Sequence, residues 1–233
     1  MGGNGGPDSS GFGGGNGGPG GNGGPGGNPP PGGFMGGNGG PDSSGFGGGF
    51  GGPRADASSI TYSAAVEITS ASSQFGKTYE SSTQDESALL ISTSDAVTIS
   101  NPTIIKSGDS NGGDNCNFYG LNAALLVKDG STTEIIGGKI STSASGANAV
   151  FSYGGNGGKN GSAGDGTTVI ISDTVITTSG NGSGGIMTTG GGITKAKNLT
   201  VTTSGGSSAP IRTDRGGGTV TVDGGTYRSE ERR

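Results

Sequence analysis

The residues of this chain that could carry chemistry are carboxylates, arginines, hydroxyls and a few aromatic side chains. The sequence contains no His and no Trp, and Cys116 is its only cysteine. Without His, nucleophilic sites of the Ser-His or Cys-His type are excluded, and so is the commonest zinc ligand. A single cysteine also excludes a disulfide within the chain. Any site must therefore be built from the remaining groups.

Arginine and tyrosine side chains are the candidate ligand-binding groups. Arg212, Asp214 and Arg215 form a concentrated group of charges beside the last apolar anchor of the repeats. Arg presents planar donors that suit carboxylates or sugar hydroxyls, although a surface Asp–Arg pair at a turn is the simpler alternative. Tyr119 and Tyr153 could stack on a sugar ring. The alternative is that these rings pack beneath a neighbouring loop.

The segment from Asp109 to Asn115 resembles a calcium loop. Its candidate metal ligands are Asp109, Asn111 and Asp114. The segment lacks EF-hand spacing, because Gly113 stands where a ligand is required and no Glu follows at the twelfth position. We therefore expect no cofactor, with bound calcium as the alternative.

Composition limits the classes of fold and partner. Of 233 residues 58 are Gly and only 26% are hydrophobic, which argues against a globule with a thick core. The net charge of −5 argues against a nucleic-acid partner. No apolar run approaches the length of a membrane span. A repetitive solenoid fits this composition, since each coil buries only a few side chains.

The chain divides into a low-complexity arm and a repetitive region. Residues 1–53 are rich in Gly, Pro and Asn, and Met1–Gly15 recurs unchanged as Met35–Gly49. We interpret them as a flexible tether, with a bundle of polyproline-II-like strands as the alternative. Residues 54–59 form a junction, and residues 60–233 contain the repeats.

The repeats predict a right-handed parallel β-helix of about six coils. An apolar–x–[Asn/Asp/Gly]–x–x–apolar bend recurs around Asn101, Gly137, Asp173, Asn198 and Gly224. Apolar anchors precede the bends at Leu90, Leu126, Val150, Ile186 and Ile211. Stacked coils explain such repetition, because equivalent residues then lie above one another. An antiparallel sandwich, the alternative, has no reason to repeat one motif in this way.

Two Gly-rich insertions lengthen alternate coils. We expect Gly108–Gly120 and Gly154–Gly166 to leave from equivalent places, with a shallow groove between them lined by Tyr119 and Tyr153. Removing residues 156–165 should then leave the fold intact. A further row of Lys106, Thr142, Thr178 and Thr203 is expected on the outer surface.

The carboxylates in the bends could in principle serve an enzyme. Asp173 and Asp223 are the candidates, but acid–base catalysis requires paired carboxylates on neighbouring coils. No two adjacent coils place Asp at the same offset. We interpret these residues as turn residues, because Asn, Asp and Gly tolerate the bend geometry. We expect no enzyme, with a polysaccharide lyase or hydrolase as an alternative.

Several motifs resemble those of a group of Gly-rich, clostridial-type bacterial surface proteins. The matching segments begin at Lys77, Ser107, Asn115, Asn122, Asn148, Ser183, Asp214 and Val222. These adhesin-like proteins are described as right-handed parallel β-helix or carbohydrate-binding-domain proteins. The resemblance implies secretion, a pectin-lyase-like coil, and adhesion to an extracellular glycan or surface.

Two departures from that group shape the remaining expectations. The group has more coils and a terminal cap, so we interpret this chain as truncated at its C-terminal end, without the export signal. An uncovered coil end could stack on a second copy. A filament-forming matrix protein that self-associates through its coil ends and Gly-rich arm is therefore the alternative function.

Overall fold

The computed structural model describes residues 59–156 and 163–231, which form a right-handed parallel β-helix. The predicted fold class is confirmed. The Gly-rich arm at residues 1–53 and nearly all of the junction at 54–59 lie outside the described residues. In the described part of the chain no helix is long and apolar enough to cross a membrane.

Each of six coils contributes one strand to each of three parallel sheets. The first two coils are β1 (Ser63–Ile68), β2 (Ser72–Phe75), β3 (Thr78–Ser81), β4 (Glu86–Ser92), β5 (Ala96–Ser100) and β6 (Thr103–Lys106). A short helix, α1 (Asn115–Phe118), precedes β7 (Leu125–Lys128), β8 (Thr132–Ile136) and β9 (Lys139–Thr142). The fourth coil is β10 (Val150–Tyr153), β11 (Thr168–Ser172) and β12 (Val175–Thr178). The last two are β13 (Ile186–Thr189), β14 (Gly192–Lys197), β15 (Thr200–Thr203), β16 (Ile211–Thr213), β17 (Gly218–Asp223) and β18 (Thr226–Ser229).

The sheets are named by their strands. Sheet A consists of β1, β4, β7, β10, β13 and β16. Sheet B consists of β2, β5, β8, β11, β14 and β17, and sheet C of β3, β6, β9, β12, β15 and β18. Inward side chains from all three sheets form one apolar core along the axis, which includes Ile99, Ile135 and Ile171 of sheet B and Ile104, Ile140 and Ile176 of sheet C.

The bends between sheets B and C form the column that the sequence predicts. Asn101, Asp173 and Asn198 have φ of 51°, 53° and 51°. Gly137 and Gly224 complete the column with φ of 67° and 69°. Asn, Asp and Gly adopt this left-handed conformation more readily than other residues. The first four bend residues each donate their N–H to the next coil, as Asn101 does to the Ile136 carbonyl at 2.7 Å.

The predicted inward anchors of sheet A are wrong by one residue in two coils. The register pairs Leu89 with Leu125 and Leu125 with Val150, and these side chains belong to the axial core. Leu90 and Leu126 are instead partners of each other and face outward. The difference arises because residues 88–91 are all buried, so apolar alternation does not mark which face is interior.

The row predicted to lie on the surface of sheet C is interior. Lys106, Thr142, Thr178 and Thr203 are all 3% exposed or less, so that expectation is wrong. Strand alternation explains the direction, since Lys106 shares the side of β6 that Ile104 buries. The Thr178 hydroxyl donates to the Ser183 carbonyl at 2.6 Å, and the Thr203 hydroxyl to the Ser208 carbonyl at 2.8 Å.

The two insertions leave the coil at different corners, contrary to expectation. The first lies between β6 and β7, on the way from sheet C to sheet A. The second lies between β10 and β11, on the way from sheet A to sheet B, and its residues 157–162 are outside the described residues. The first insertion covers the outer face of sheet A. Its residues Tyr119 and Ala123 pack in a second apolar cluster there, which also contains Leu90, Leu126, Phe151, Tyr153 and Met187.

Candidate functional site

The structure brings the five predicted ligand-binding residues to the outer face of sheet A. An Arg215 guanidinium nitrogen donates to the Tyr119 hydroxyl at 3.3 Å. The Tyr119 ring meets the Tyr153 ring edge-on, with centroids 5.8 Å apart. Arg212 and Asp214 lie on the same coil as Arg215 and pair with each other at 3.5 Å. Residues separated by almost 100 positions in sequence thus form one cluster.

Within this cluster the tyrosines are more deeply buried than the arginines. Tyr119 and Tyr153 are 3% and 5% exposed, so neither presents a free ring face to a sugar. The predicted groove lined by both rings is therefore wrong, and the alternative of packing beneath the first insertion describes them. The Arg212 and Asp214 side chains are 23% and 33% exposed, and Arg215 is likewise half-buried.

Arg215 is held by aromatic and backbone contacts. Its guanidinium carbon lies 4.4 Å from the centroid of the Phe118 ring, within cation–π range. Its backbone N–H donates to the Asp214 carboxylate at 2.8 Å, and its carbonyl accepts from Gly190 at 3.0 Å. The side chain therefore has a defined direction before any ligand binds.

The Asp-Arg-Gly-Gly sequence forms the tight turn between β16 and β17. Gly216 has φ of 81°, and a Cβ there would lie 2.4 Å from the Asn156 carbonyl oxygen. Any larger residue would push the turn away from the neighbouring coil. The Gly217 N–H closes the turn onto the Asp214 carbonyl at 2.8 Å. The glycines thus fix the backbone that carries Arg215.

Arg212 bridges β16 and the helix of the first insertion. One guanidinium nitrogen lies 3.4 Å from the Asn117 side-chain oxygen and 3.4 Å from the Ser207 carbonyl. With the Asp214 contact, these bonds orient the guanidinium plane. Two arginines against one carboxylate give this surface a positive charge that would attract an anionic group.

Two hydrogen bonds from side-chain hydroxyls to backbone carbonyls hold α1 over sheet A, and the sequence analysis predicts neither of them. The Thr189 hydroxyl donates to the Phe118 carbonyl at 2.8 Å. The Tyr62 hydroxyl donates to the Tyr119 carbonyl at 3.0 Å. Burial raises the pKa of Tyr62 far above its usual value, so this donor stays protonated. Alternation over residues 60–68 placed Tyr62 on a strand, but no spacing linked it to Tyr119.

Cys116 in α1 is not a nucleophile at neutral pH. Its side chain is 5% exposed, and its thiol donates to the Gly113 carbonyl at 2.9 Å. Burial raises the pKa of this thiol to about 11, against the weaker opposing effect of Arg212. The reactive thiolate is therefore scarce under physiological conditions.

The acidic residues of the predicted calcium loop fix turns of the backbone. The Asp109 carboxylate accepts the Ser145 N–H at 2.7 Å. The Asn111 N–H donates to the Asp85 carboxylate at 2.9 Å, and Asp114 immediately precedes α1. Over residues 59–156 and 163–231, no three His, Cys, Asp or Glu side chains form a group that could hold a metal ion. Calcium binding stays a prediction without geometric support from these carboxylates.

The two bend-associated carboxylates do not form a catalytic pair. Asp173 accepts a hydrogen bond from the Asn198 side chain at 3.3 Å. Asp223 ends β17, where its register partner is Lys197. One whole coil separates the two carboxylates, so they are not the pair on neighbouring coils that the sequence analysis requires for acid–base catalysis.

The chain matches no known family model, no curated protein and no solved structure in the comparisons made. The architecture is therefore established from its own strands and registers. The resemblance to clostridial-type surface proteins contributes an expectation about location and role.

Proposed function

We propose that this protein is a non-catalytic, extracellular binding module that holds a glycan or another surface. Its binding site would be the arginine patch, defined as Arg212, Asp214 and Arg215 together with Asn117 and Phe118 of α1. The observation that carries the proposal is the fixed, half-buried position of Arg215 on the Phe118 ring. Side chains ordered before binding lose little further entropy when a ligand arrives.

The chemistry of the arginine patch favours a glycan that bears carboxylates. Arg212 and Arg215 each offer planar donors that match a carboxylate in two parallel hydrogen bonds. Asp214 could in turn accept from a sugar hydroxyl beside it. The buried tyrosines then serve as supports, since Tyr119 accepts from Arg215 and packs against Tyr153.

A glycan array with matched variants tests the proposal. The wild-type protein should bind uronate-containing glycans, and the double variant Arg212→Ala/Arg215→Ala should lose that binding while keeping its melting temperature. Arg228→Ala is the control, because that side chain is 70% exposed and belongs to sheet C, whereas the patch lies against sheet A. Equal binding by the double variant and the control would remove the arginine patch from consideration.

Location and absence of catalysis belong to the same proposal. The resemblance to surface adhesins supports an extracellular position, and the separation of Asp173 from Asp223 supports binding without bond cleavage. Incubation with pectin and other uronate polymers should release no unsaturated or reducing ends. Such release would favour the polysaccharide lyase or hydrolase alternative.

Assembly through coil ends is a second candidate function. Val222 is 40% exposed, whereas its register partner Ala196 in the preceding coil is 3% exposed. The axial core is thus open at β17 among the described residues, and a second copy could cover it. Concentration-dependent filaments in electron micrographs would support this function, and a monomer at all concentrations would exclude it.

A further inference from the structure

Lys106 occupies an unusual place, fully buried inside the coil. Its side chain is 0% exposed and lies in the inward row that the other coils fill with hydroxyl residues. The ammonium nitrogen donates to the carbonyls of Thr83 and Gly108 at 2.7 and 2.6 Å. Lysine is almost never fully buried, because removing the charge from water is costly. Threonines occupy the equivalent positions of the next three coils, so the row itself does not select an amine.

A buried amide lies beside this amine. Asn122 is 0% exposed, and its side-chain nitrogen donates to the Gly108 carbonyl at 2.9 Å. Lys106 and Asn122 therefore share one acceptor, and their two nitrogens are no further apart than the sum of those bonds. The Asn122 side-chain oxygen has no hydrogen-bond partner among the described residues. Burying a polar atom without a hydrogen-bond partner costs free energy, so the burial of this oxygen requires an explanation.

A carboxylate approaches the same corner from the preceding coil. Glu86 is half-buried and accepts a hydrogen bond at 2.8 Å from Ser81, the register partner of Lys106. Glu86 and Asn122 precede the register pair Leu89 and Leu125 by three residues each. The amine and the amide are thus fully buried at this corner, and Ser81 connects a half-buried carboxyl group to the same row.

We propose that Lys106 and Asn122 join in an intramolecular isopeptide bond, promoted by Glu86. The neutral amine nitrogen attacks the side-chain carbonyl carbon of Asn122, and a new C–N bond forms. The original bond from that carbon to the amide nitrogen breaks. One proton passes from the amine to the leaving group through the Glu86 carboxyl, and ammonia departs. Atoms balance without any oxidant, reductant or co-reactant.

The surroundings favour this step. Burial lowers the pKa of Lys106, with Glu86 as the largest opposing influence, so the neutral amine is more available than in water. Glu86 accepts from Ser81, the register partner of Lys106 on the neighbouring coil, which places a carboxyl group at this corner as a proton carrier. The amine and the amide are also held together by their common acceptor, which lowers the entropic part of the barrier.

The bond would link the two ends of the first insertion. Lys106 ends β6, and Asn122 lies shortly before β7, so the cross-link closes a loop that contains α1. Closing a loop covalently restricts the unfolded chain, as a disulfide does. With one cysteine in the sequence, an amide is the cross-link that these residues allow. The segment that carries Asn117 and Phe118 would then stay attached to the coil when the protein is subjected to mechanical force.

Intact mass of the purified full chain tests the proposal. We expect a mass lower than the sequence mass by one ammonia. Digestion with trypsin should leave Lys106 uncleaved and yield residues 78–128 as a single species with the same deficit. A chain with the full sequence mass, cleaved after Lys106, would overturn the proposal.

Variants locate the bond and exclude other losses of ammonia. Lys106→Arg and Asn122→Ala should both restore the full mass, and Asn122→Asp should form the same product with loss of water instead. Asn111-Gly112 could also lose ammonia by forming a succinimide, but Lys106 would then remain cleavable. Persistence of the deficit in Lys106→Arg would therefore contradict the proposal. Bond formation at an unchanged rate in Glu86→Gln would overturn the role of Glu86.

Discussion

At the scale of residues, the interior of the coil is lined by hydroxyl groups as well as by aliphatic side chains. Thr178 and Thr203 each donate to a carbonyl five positions along the chain, and Ser183 and Ser208 continue the polar corner. These bonds satisfy backbone groups where the chain passes from sheet C to sheet A. These four hydroxyl side chains therefore have a structural role inside the coil.

Substitutions at two neighbouring threonines should distinguish an interior position from a surface position by their effect on stability. Thr203→Asp places an unpaired charge at a position that is 0% exposed, and we expect a loss of about 3 kcal/mol or more. Thr202→Asp should cost less than about 0.5 kcal/mol, because that side chain points outward and is partly exposed. Thermal unfolding followed by circular dichroism measures both. Equal stability of the two variants would contradict the inward direction of Thr203.

Cys116 should make stability sensitive to alkaline pH. Its pKa rises from 9.0 to about 11 on folding, so the folded chain keeps the proton that the unfolded chain releases. The resulting stability is fully present below pH 9 and is lost as the pH rises towards 11, by about 3 kcal/mol at most. Melting temperatures of wild type and Cys116→Ser at pH 8 and pH 10.5 test this. The variant should lose less than wild type over that interval, and an identical loss would refute the effect.

Residue types predict some positions correctly, but they place the inward anchors Leu90 and Leu126 one residue too late in the chain. The column at Asn101, Asp173 and Asn198 could be predicted because a left-handed bend selects few residue types. Leu90 was misassigned because it lies in a run buried on both faces. The burial of Tyr119 could not be predicted from sequence, since it depends on the distant partners Tyr62, Tyr153 and Arg215.

At the scale of elements, sheet A differs from sheets B and C because both of its faces are covered. Its inward face joins the axial core, and its outward face packs beneath the first insertion. Phe151 is the largest side chain of the outer cluster that is completely buried, at 0% exposed. A Cβ at Gly120 would lie 2.9 Å from the Phe151 ring, which explains why glycine stands at that close approach. The insertion is thus a packed element of the fold.

Truncating Phe151 should release the insertion without opening the coil. Phe151→Ala removes the centre of the outer cluster, and we expect a loss of about 3–5 kcal/mol in docking of residues 112–124. Amide hydrogen exchange should rise there while the β8 and β11 amides stay protected. Val150→Ala, its neighbour in the axial core, should instead raise exchange across the coil. Uniform exchange changes in both variants would argue against two separate cores.

The second insertion should be dispensable for the fold. The Asp165 N–H donates to the Gly154 carbonyl at 2.8 Å, and the Asn156 side chain lies 3.3 Å from the Ala163 carbonyl. Replacing residues 157–162 with one glycine should therefore lower the melting temperature by less than about 4 °C. Asp165 must be kept, because its carboxylate accepts from the N–H and hydroxyl of Thr167. A loss of cooperative unfolding would show that residues 157–162 are required.

The places of these insertions illustrate a limit on sequence reasoning about elements. Coil length indicates that residues have been added, but not at which corner they leave the coil. The corner depends on which strand each flanking segment joins, and that is fixed by pairing between coils rather than by local pattern. Gly-rich segments fit either corner, because glycine imposes little conformational preference.

At the scale of the whole molecule, the β-helix is a scaffold that brings distant residues to one surface. Arg212 and Arg215 lie on the last coil, whereas Asn117 and Phe118 belong to an insertion three coils earlier. Each element is fixed by many strand registers, so the arginine patch is preorganised by the fold. Its composition could not be predicted from spacing, although Arg212, Asp214 and Arg215 were identified as charged candidates from sequence alone.

Binding by Arg212→Lys/Arg215→Lys is the most direct test of the proposed arginine patch. Lysine keeps the positive charge but lacks the planar pair of donors, so a ligand held by bidentate bonds should bind about tenfold more weakly. Calorimetric titration with the strongest uronate glycan from the array measures the change, with Arg228→Lys as the control. We expect weaker binding by the double variant and unchanged binding by the control. Wild-type affinity in the double variant would contradict this expectation.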